Sequence, residues 1–396
     1  MNASGALWWR IMSPPSPAQA PVAYEFFAGG GLAGLGLSGF RIGFANDLDA
    51  MKAAAFRANH PETPFRLGDV WDITLDDLPG PPNLMWASSP CQDLSLAGAR
   101  GGLKAERSGT FWGFWRLVEG LQAEGRGPRA VVLENVCGLL TSSGGADFAA
   151  VCEAMTRSGY RVGALEMDAA IWLPQSRPRL FVVGLRDADH LAGEEPAQPF
   201  HSPRLIRAQA RLPQSVRDAW AWWRVAPPSQ RNGDLASVLA PEAEWMGKVE
   251  TERLLALLSP LHRQRLEAIC ASGERRIGAG FRRVRREGDR RVQRLELRFD
   301  GLAGCLRTPS GGSSRQYVIE AAEGRVRVRR LTGREAARLM GLPDDYRLPD
   351  RDNAALKLTG DAVAVPVVRT LSDQLLLPAV AGQTRALKPR AAASRA

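Results

Sequence analysis

The chain has few of the residues that bind zinc or form disulfides. Its 396 residues include five cysteines and four histidines, and no two cysteines form a CxxC pair. The odd number and irregular spacing of the cysteines also exclude a secreted disulfide scaffold. No run approaches the length that spans a bilayer, and the N-terminus lacks a long apolar signal core. We therefore expect a cytoplasmic protein without metal or membrane contact.

What the chain does contain is apolar residues and arginine. Hydrophobic residues make up 45% of the sequence, which is enough for a substantial core, and the length exceeds that of one typical domain. We expect two lobes. The formal net charge of +10 favours a polyanionic partner over a small neutral substrate.

The first lobe has the pattern of a parallel sheet flanked by helices. Short apolar runs alternate with amphipathic stretches, which is typical of α/β proteins. The predicted strands are VAYEFFA, RIGFAND, NLMWASS, AVVLENV, YRVGALEM and RLFVVGL. We expect a disordered leader over residues 1–20, a catalytic domain over 21–186 that is completed by 356–383, and a basic tail over 384–396.

A change of composition after Leu185 marks the second lobe, which we place at 187–355. Arginine recurs from Arg275 to Arg330, and the segments LELRF and RVRVR alternate apolar with charged residues as half-buried strands do. This predicts a smaller, basic, β-rich domain whose arginines face phosphates. The sequence TGRE at Thr332 predicts a capped helix after it.

A glycine-rich loop, FFAGGGLAGLGL, follows the first predicted strand. It fits the pattern GxGxxG through Gly29, Gly31 and Gly34, which lets the backbone approach a ligand. In ANDLDA, Asp47 or Asp49 is placed to accept hydrogen bonds from ribose hydroxyls. These features suit a nicotinamide dinucleotide and S-adenosylmethionine equally, because both contain adenosine.

Four further segments favour methyl transfer over hydride transfer. Asp69 in LGDVW provides another acid for the adenine amino group. In ASSPCQDLSL, Cys91 follows Pro90 and is either a core residue or a nucleophile. The segments LENVCGLL and LPQSRPRLFVVGL place Glu134, Gln175, Arg177 and Arg179 at strand ends, where ligands of open α/β sheets bind.

In this order, the motifs resemble the bacterial type of the DNA (cytosine-5)-methyltransferase family. The resemblance covers about 22–185 and 328–380, through FAGGG, ANDLDA, GDV, PCQ, RSGTFW, ENV, QSRPR, RRLTGREAARLMGLPDDY and GDAVAVPVV. It implies a Rossmann-like S-adenosylmethionine-dependent methyltransferase fold with a smaller target-recognition domain. S-adenosylhomocysteine would be the product.

The resemblance also implies roles for the catalytic residues. Carbon 5 of cytosine is a poor nucleophile until a thiolate adds to carbon 6 and ring nitrogen 3 is stabilised. Cys91 would be the attacking thiolate, and a protonated Glu134 would act at nitrogen 3. Arg179 would bind the cytosine carbonyl oxygen, while Arg177 and Gln175 would complete the catalytic set.

Cofactor contacts are carried over by motif position. The expected set is Phe27, Gly29, Gly31, Asp47, Asp69, Val70, Pro90, Asp361, Ala362 and Val363. Asp361 stands where many members of the family have asparagine, so this chain has a carboxylate near the cofactor's amino-acid end.

The target cytosine has to leave the duplex to reach these groups, so the resemblance implies base flipping. The segment LAGARGGLKAERSGTFW is suited to closure over DNA through Arg100, Lys104 and Arg107. The segment TPSGGSSRQ adds Ser313, Ser314 and Arg315 as expected DNA contacts.

Double-stranded DNA is therefore the expected partner of a monomeric, nucleoid-associated bacterial enzyme. It would belong to a restriction-modification system with a cognate endonuclease or act as a solitary methylase. The alternative within the same chemistry is a tRNA cytosine-5 methyltransferase. An alternative from another class is a nicotinamide oxidoreductase, which is supported only by the glycine loop and the ribose acid.

Overall fold

The computed structural model describes residues 20–89, 109–308, 315–322 and 324–381. Its main sheet contains seven strands. These are β1 (Val22–Phe26), β2 (Arg41–Asp47), β3 (Phe65–Leu67), β4 (Leu84–Ser88), β5 (Ala130–Asn135), β6 (Arg161–Asp168) and β7 (Pro178–Leu185). All six predicted apolar runs form strands of this sheet.

The strand order is β3-β2-β1-β4-β5-β7-β6. Strands β1 to β5 run parallel, and β7 is antiparallel to both of its neighbours, β5 and β6. The predicted α/β class is confirmed. The order differs from the six-stranded order 3-2-1-4-5-6 of dinucleotide-binding proteins because an antiparallel strand is inserted next to β5.

Twelve α-helices surround the sheets in the described residues. They are α1 (Leu32–Gly36), α2 (Ala50–Asn59), α3 (Thr110–Ala123), α4 (Ala146–Arg157), α5 (Pro203–Gln209), α6 (Gln214–Asp218), α7 (Lys248–Leu255), α8 (Pro260–Ala271), α9 (Gly333–Leu339), α10 (Asp352–Asp361), α11 (Val365–Leu371) and α12 (Leu377–Ala381). Short 3₁₀ segments lie at Val70–Asp72, Cys137–Gly145, Ala169–Ile171, Asp189–Leu191 and Leu235–Val238, and a π-helical turn at Ser372–Leu376 joins α11 to α12.

Both faces of the main sheet are covered. Apolar side chains of α3 and α4, such as Phe114 and Val151, pack on one face against Phe26 and Val131. Helices α1, α11 and α12 pack on the other face in a second core cluster. A sheet buried on both faces explains why its strands are nearly continuous apolar runs in the sequence.

The C-terminal segment returns to the first lobe, as the sequence predicts. A Cβ on Gly36 of α1 would lie 2.5 Å from Cβ of Val368 in α11, so the two helices meet closely. The hydroxyl of Ser372 donates a hydrogen bond to the carbonyl oxygen of Ser38 at 2.8 Å. This packing brings the end of the chain beside the glycine loop.

The same segment shows that one expectation was wrong, namely that no run of the chain approaches the length that spans a bilayer. Residues Asp352–Ala381 reach the length and apolar composition that could cross a membrane, with a mean hydropathy of 1.3. However, 61% of the most apolar window is buried inside the protein, and the helical backbone is interrupted at 362–364. Burial of this kind is typical of core helices, whose apolar side chains pack against their own chain.

The second lobe contains a four-stranded antiparallel sheet. Its strands are β10 (Arg276–Glu287), β11 (Arg290–Arg298), β12 (Gln316–Ala322) and β13 (Arg325–Arg330), in the order β11-β10-β12-β13. Leucines of α7 and α8 cover one of its faces. A two-stranded ribbon of β8 (Ala192–Gly193) and β9 (Trp222–Trp223) precedes it. The predicted β-rich character of the lobe is confirmed, whereas its exact boundaries stay a prediction.

Several arginines of this sheet are paired with glutamates on neighbouring strands. Glu296 contacts Arg285, and Glu287 binds Arg294 at 2.6 Å. Glu320 is bound by both Arg275 and Arg327. These pairs neutralise part of the basic face, so fewer arginines are free for phosphates than the sequence suggests.

A buried ion pair joins β13 to α9. Arg329 and Glu335 lie 2.6 Å apart, and both side chains are almost completely buried. Burial raises the pKa of Glu335, but Arg329 and two backbone N–H groups outweigh it and hold that pKa below its usual value. Glu335 also closes the predicted capping box with Thr332.

We expect Arg329→Ala to lower the free energy of unfolding by about 3–5 kcal/mol, because it leaves the Glu335 carboxylate buried without its cation. The matched control is Arg330→Ala, since Arg330 is next in the chain and pairs with Glu250 in an exposed position. That change should cost at most about 1 kcal/mol. Urea unfolding measures both variants, and equal losses would contradict this account.

Candidate active site

The described residues among the predicted catalytic and cofactor residues of the first lobe meet at one edge of the main sheet. The carboxyl ends of parallel strands lie on the same edge, and the antiparallel β7 begins there. The register pairs Ser88 at the end of β4 with Glu134, and Leu180 near the start of β7 with Asn135. The expected residues brought to this edge are Phe27, Gly29, Gly31, Asp47, Asp69, Val70, Glu134, Gln175, Arg177 and Arg179.

The glycine loop is hydrogen-bonded directly to Asp47, the last residue of β2. The N–H of Gly29 donates to Oδ2 of Asp47 at 2.8 Å, and the N–H of Asp49 donates to Oδ1 at 2.8 Å. Gly31 has a φ of +81°, and a Cβ there would lie 2.5 Å from Nε2 of His60. A side chain at this position would therefore clash as well as strain the backbone.

The structure separates the two candidate ribose acids. Asp49 is the N-cap of α2, where Oδ1 accepts from the N–H groups of Met51 and Lys52, and Oδ2 binds Lys357 at 2.5 Å. Asp47 lies at the strand end itself. Its buried carboxylate is oriented by backbone donors, which favours Asp47 as the ligand-binding acid.

Asp69 and Val70 lie in the turn that follows β3. Oδ1 of Asp69 accepts from the N–H of Trp71 at 3.0 Å, so this acid caps the 3₁₀ turn. Arg116 of α3 donates to the carbonyl oxygens of Trp71 and Ile73 at 2.6 Å each. The turn is thus held by the side chain of Asp69 at its start and by the guanidinium of Arg116 at its end.

Two exposed apolar side chains in this region were missed by the sequence analysis. Leu48, directly after Asp47, is 69% exposed, and Trp71, directly after Val70, is 40% exposed. Apolar residues in polar turns are the signal that could have identified them. Each exposes apolar surface in a turn that directly follows a strand of the main sheet, β2 for Leu48 and β3 for Trp71.

Glu134 and Arg179 form the buried ionic centre of the site. Nε of Arg179 lies 3.1 Å from Oε1 of Glu134, and their side chains are only 15% and 8% exposed. Burial raises the pKa of Glu134, and the opposing effects of Arg179, Arg177 and the Ser88 hydroxyl do not cancel it. A carboxyl group in this environment is suited to donate a proton.

Asn135, the neighbour of Glu134, holds the end of β4 in place. Its Nδ2 donates to the carbonyl oxygen of Ser89 at 2.9 Å, and the hydroxyls of Ser89 and Thr110 lie 3.0 Å apart. Ser89 directly precedes Pro90 and Cys91 in the sequence. Asn135 and Thr110 therefore fix the residue from which the predicted nucleophile segment departs.

Gln175 lies fully buried between the lobes. Its Nε2 donates to the carbonyl oxygen of Leu339 at 2.7 Å, and its Oε1 accepts from the N–H of Leu306 at 3.1 Å. These bonds connect the entry of β7 to α9 and to the segment between β11 and β12 that contains Leu306. The side-chain amide of Gln175 therefore binds main-chain atoms at both of its ends and holds these parts of the chain together.

Arg177 has a similar connecting position and is 1% exposed. Its guanidinium donates to the carbonyl oxygens of Leu306 at 3.0 Å and Gly360 at 2.9 Å, and also to that of Ala362. Burial lowers the pKa of Arg177 to about 10, with the nearby Arg179 adding to the shift. Arg177 thus links the second lobe to the closing GDAV segment.

The closing segment brings Asp361, Ala362 and Val363 to the same edge. Asp361 binds Lys52 of α2 at 2.7 Å and accepts a hydrogen bond from the hydroxyl of Thr308. Val363 is buried in the core. The sequence did not indicate Lys52, because its partner is close only in three dimensions.

Several predicted residues lie outside the described part of the chain. They are Pro90, Cys91, Arg100, Lys104, Arg107, Ser313 and Ser314. Arg315 is described, and its guanidinium donates to Oδ1 of Asn353 in α10. Within the described ranges, no group of three or more His, Cys, Asp or Glu side chains is arranged to hold a metal ion.

Residues 23–376 match the family model described as C-5 cytosine-specific DNA methylase. The chain belongs to this family. As a C-5 cytosine-specific DNA methylase it is a DNA cytosine-5 methyltransferase, which removes the nicotinamide oxidoreductase alternative.

Relatives and solved structures agree with this membership. The type II methyltransferase M.NgoBI of Neisseria gonorrhoeae is 26% identical over 87% of this chain and 92% of its own length. M.HpaII of Haemophilus parainfluenzae is 24% identical over 86% and 87%. The crystal structure of S. pombe Dnmt2 methyltransferase covers 90% of this chain and 98% of its own, with a TM-score of 0.56 and 15% identity, which shows the fold alone.

Another acid missed by the sequence analysis supports the glycine loop of this methylase. Glu25 in β1 is 1% exposed, and its Oε2 accepts from the N–H of Gly34 at 3.0 Å. Burial, which outweighs the N–H donors of Gly34 and Ala33, raises the pKa of Glu25 to about 8. An acid within an otherwise apolar strand is the signal that could have identified it.

We expect this carboxyl group to make stability depend on pH. Its pKa is higher in the folded protein than in the unfolded chain, so the folded state binds the extra proton and loses stability as pH rises from about 4.5 to 8. The loss is roughly 1.4 kcal/mol for each pKa unit of difference. Glu25→Gln should remove this slope in urea unfolding at pH 5, 6.5 and 8, whereas the surface change Glu153→Gln should keep it. An unchanged slope in Glu25→Gln would contradict the assignment.

Proposed function

We propose that the enzyme methylates carbon 5 of a cytosine flipped out of duplex DNA, through a covalent adduct with Cys91 and with S-adenosylmethionine as the methyl donor. The buried Glu134–Arg179 pair carries this proposal. It lies beside the end of β4, from which the chain leads to Cys91, and it contains the proton donor and the cation that the reaction needs.

The described residues fit the proposed cofactor. Asp47 would bind the ribose hydroxyls, and Leu48 and Trp71 would cover the adenine. The glycine loop, with Gly29 and Gly31, would leave room for the rest of the cofactor. Phe27, Asp69 and Val70 would complete the adenine side, and Pro90, Asp361, Ala362 and Val363 the other side. When bound, S-adenosylmethionine supplies a methyl group on a cationic sulfur and leaves as S-adenosylhomocysteine.

The chain's own groups activate the cytosine ring. The Cys91 thiolate forms a bond to carbon 6, and the electron pair displaced from the 5,6 double bond makes carbon 5 nucleophilic. The protonated Glu134 stabilises ring nitrogen 3, and Arg179 stabilises the carbonyl oxygen. After carbon 5 has gained its methyl group, a base removes the proton from that carbon and the thiolate leaves.

We infer that Gln175 and Arg177 act as positioning residues within the catalytic set. Both are buried, and their side chains bind main-chain atoms of the second lobe, α9 and the closing segment. They hold the start of β7, and thereby Arg179, opposite Glu134. Asn135 likewise acts as a positioning residue, because it binds Ser89, from which the chain leads to Cys91.

Double-stranded DNA would enter between the lobes as the substrate. We propose that Arg100, Lys104 and Arg107 contact it from the segment after Cys91, and that Ser313, Ser314 and Arg315 contact it from the second lobe. In this proposal the enzyme acts as a monomer in the bacterial cytoplasm, associated with the nucleoid. It works beside a cognate restriction endonuclease or as a solitary methylase.

The first test is covalent trapping on duplex DNA that contains 5-fluorocytosine, in the presence of S-adenosylmethionine. The fluorine at carbon 5 cannot leave as a proton does, so the adduct accumulates. We expect a stable complex that peptide mass mapping places on Cys91. Cys91→Ser should bind S-adenosylhomocysteine and DNA but form no adduct, whereas the control Cys270→Ser should trap like the wild type.

Other outcomes of this experiment are equally informative. An adduct on a different residue would contradict the assignment of Cys91. Trapping on tRNA with none on duplex DNA would instead favour the RNA methyltransferase alternative. Sequencing of the captured duplex gives the recognition site in the same experiment.

A second prediction concerns Glu134. Because burial raises its pKa, the carboxyl group keeps its proton to a higher pH than an ordinary glutamate does, and activity should fall as pH rises through that pKa. Glu134→Gln should lower kcat by about 10²-fold or more and abolish this alkaline decline, while Glu153→Gln should change neither. Single-turnover methylation between pH 6 and 9 measures both effects, and a Glu134→Gln profile with the wild-type shape would exclude the proton-donor role.

A further inference from the structure

A cavity of about 460 Å³ lies beside the ribbon of β8 and β9. The ribbon segment is joined to the start of β6, where the N–H of Ala221 donates to the carbonyl oxygen of Val162 at 2.8 Å. The proposed catalytic groups lie near the other end of β6, where Asp168 pairs with Pro178 at the start of β7. This ribbon cavity is therefore separate from the site described above.

Aromatic side chains line much of the ribbon cavity. Phe200 and Trp223 are buried, and Trp222 is half-buried. Nε1 of Trp223 donates to the carbonyl oxygen of Val183 at 3.0 Å, which fixes this ring against the main sheet. Aromatic rings attract ammonium and guanidinium groups to their faces. The cavity is thus suited to a cationic side chain.

The charged groups around the cavity also favour a cation. Glu194 and Glu195 are exposed, and within the described residues their carboxylates form no ion pair or hydrogen bond. Arg224 contributes one positive charge to the lining. Burial lowers the pKa of His201, another lining residue, to about 4, so its imidazole is neutral near pH 7. A protein with a net charge of +10 therefore has a local excess of negative charge at this cavity.

The part of the chain that continues from the cavity wall is strongly basic. Gln374 lines the cavity, and its side-chain amide forms two hydrogen bonds with the backbone of Ala226, at 2.7 and 3.2 Å. Helix α12 ends at Ala381, so about 10 Å of helix separate its end from Gln374. The basic tail 384–396 follows and contains no acid. Its cations are Arg385, Lys388, Arg390 and Arg395.

The tail lies outside the described residues, and its length is sufficient to return to the cavity. Gly382 follows the end of α12, and glycine is the residue that most commonly reverses the chain after a helix. The segment from Gly382 to Arg390 can span up to about 30 Å when extended. This exceeds the distance of about 10 Å along α12 by a wide margin.

We propose that the basic tail 384–396 docks on the ribbon cavity of its own chain, with its cationic side chains paired to Glu194 and Glu195 and one of them placed against Trp222. Opposite charges and aromatic walls both favour this occupant. The leader over residues 1–20 suits the cavity less well, because Arg10 is its only charged side chain. The proposal gives the tail a position away from the proposed catalytic groups.

Limited trypsin digestion of the full chain tests the docking, because a docked tail is protected from cleavage after Arg385 and Arg390. The wild type is compared with the double variant Glu194→Gln/Glu195→Gln. The matched control is Glu242→Gln/Glu244→Gln, which removes the same charge from two exposed glutamates that do not line the cavity. Mass spectrometry of the intact chain gives the initial rate of tail loss, and circular dichroism checks that each variant is folded.

We expect Glu194→Gln/Glu195→Gln to lose its tail about 5-fold faster than the wild type, since cleavage follows the undocked fraction and two charge contacts are removed. The control Glu242→Gln/Glu244→Gln should lose its tail at the wild-type rate. Equal rates in the wild type and Glu194→Gln/Glu195→Gln would overturn the proposal.

Carbodiimide cross-linking identifies the occupant. This reagent joins a carboxylate to an amine in contact with it, and Lys388 is the one lysine of the tail. In a mixture of unlabelled and ¹⁵N-labelled wild type, we expect peptide mapping to find Lys388 linked to Glu194 or Glu195 of the same chain. Links between chains would overturn the proposal in favour of a second copy, and links to the N-terminal amine would overturn it in favour of the leader.

Discussion

The buried guanidinium of Arg177 is the interaction on which the site depends most. A charged group in the interior is costly unless hydrogen bonds satisfy it. The two terminal nitrogens of Arg177 donate to carbonyl oxygens in the second lobe, at Leu306, and in the closing segment, at Gly360 and Ala362. The start of β7 is therefore stable in this position only when the middle and the end of the chain have folded around it.

That requirement connects folding with chemistry. Arg179, two residues further along, reaches Glu134 across the β5–β7 pairing. Gln175, two residues before, binds both the second lobe and α9. One short segment thus links the second lobe, the closing segment and Glu134, the proposed proton donor, so the proposed catalytic groups are brought together by the whole chain and not by the first lobe alone.

Burial gives the carboxylates of this protein different properties. Glu25 and Glu134 lie at the main sheet with raised pKa values, because burial outweighs their hydrogen bonds. Glu335 is buried too, but the opposing guanidinium of Arg329 and backbone donors lower its pKa. The properties of a glutamate thus depend on the charges and donors around it. Glu134 is a candidate proton donor, Glu25 supports the glycine loop, and Glu335 belongs to a buried ion pair.

The sequence by itself determined six of the seven strands of the main sheet, the capped helix at Thr332 and the order of the motifs, because apolar runs, helix caps and glycine turns are local signals. Tertiary structure decided the rest. Lys52 meets Asp361, and glutamates neutralise arginines of the second sheet, only through packing and strand register. Long-range contacts of this kind cannot be predicted from the periodicity of the sequence, because the fold and not the neighbouring residues determines which side chains meet.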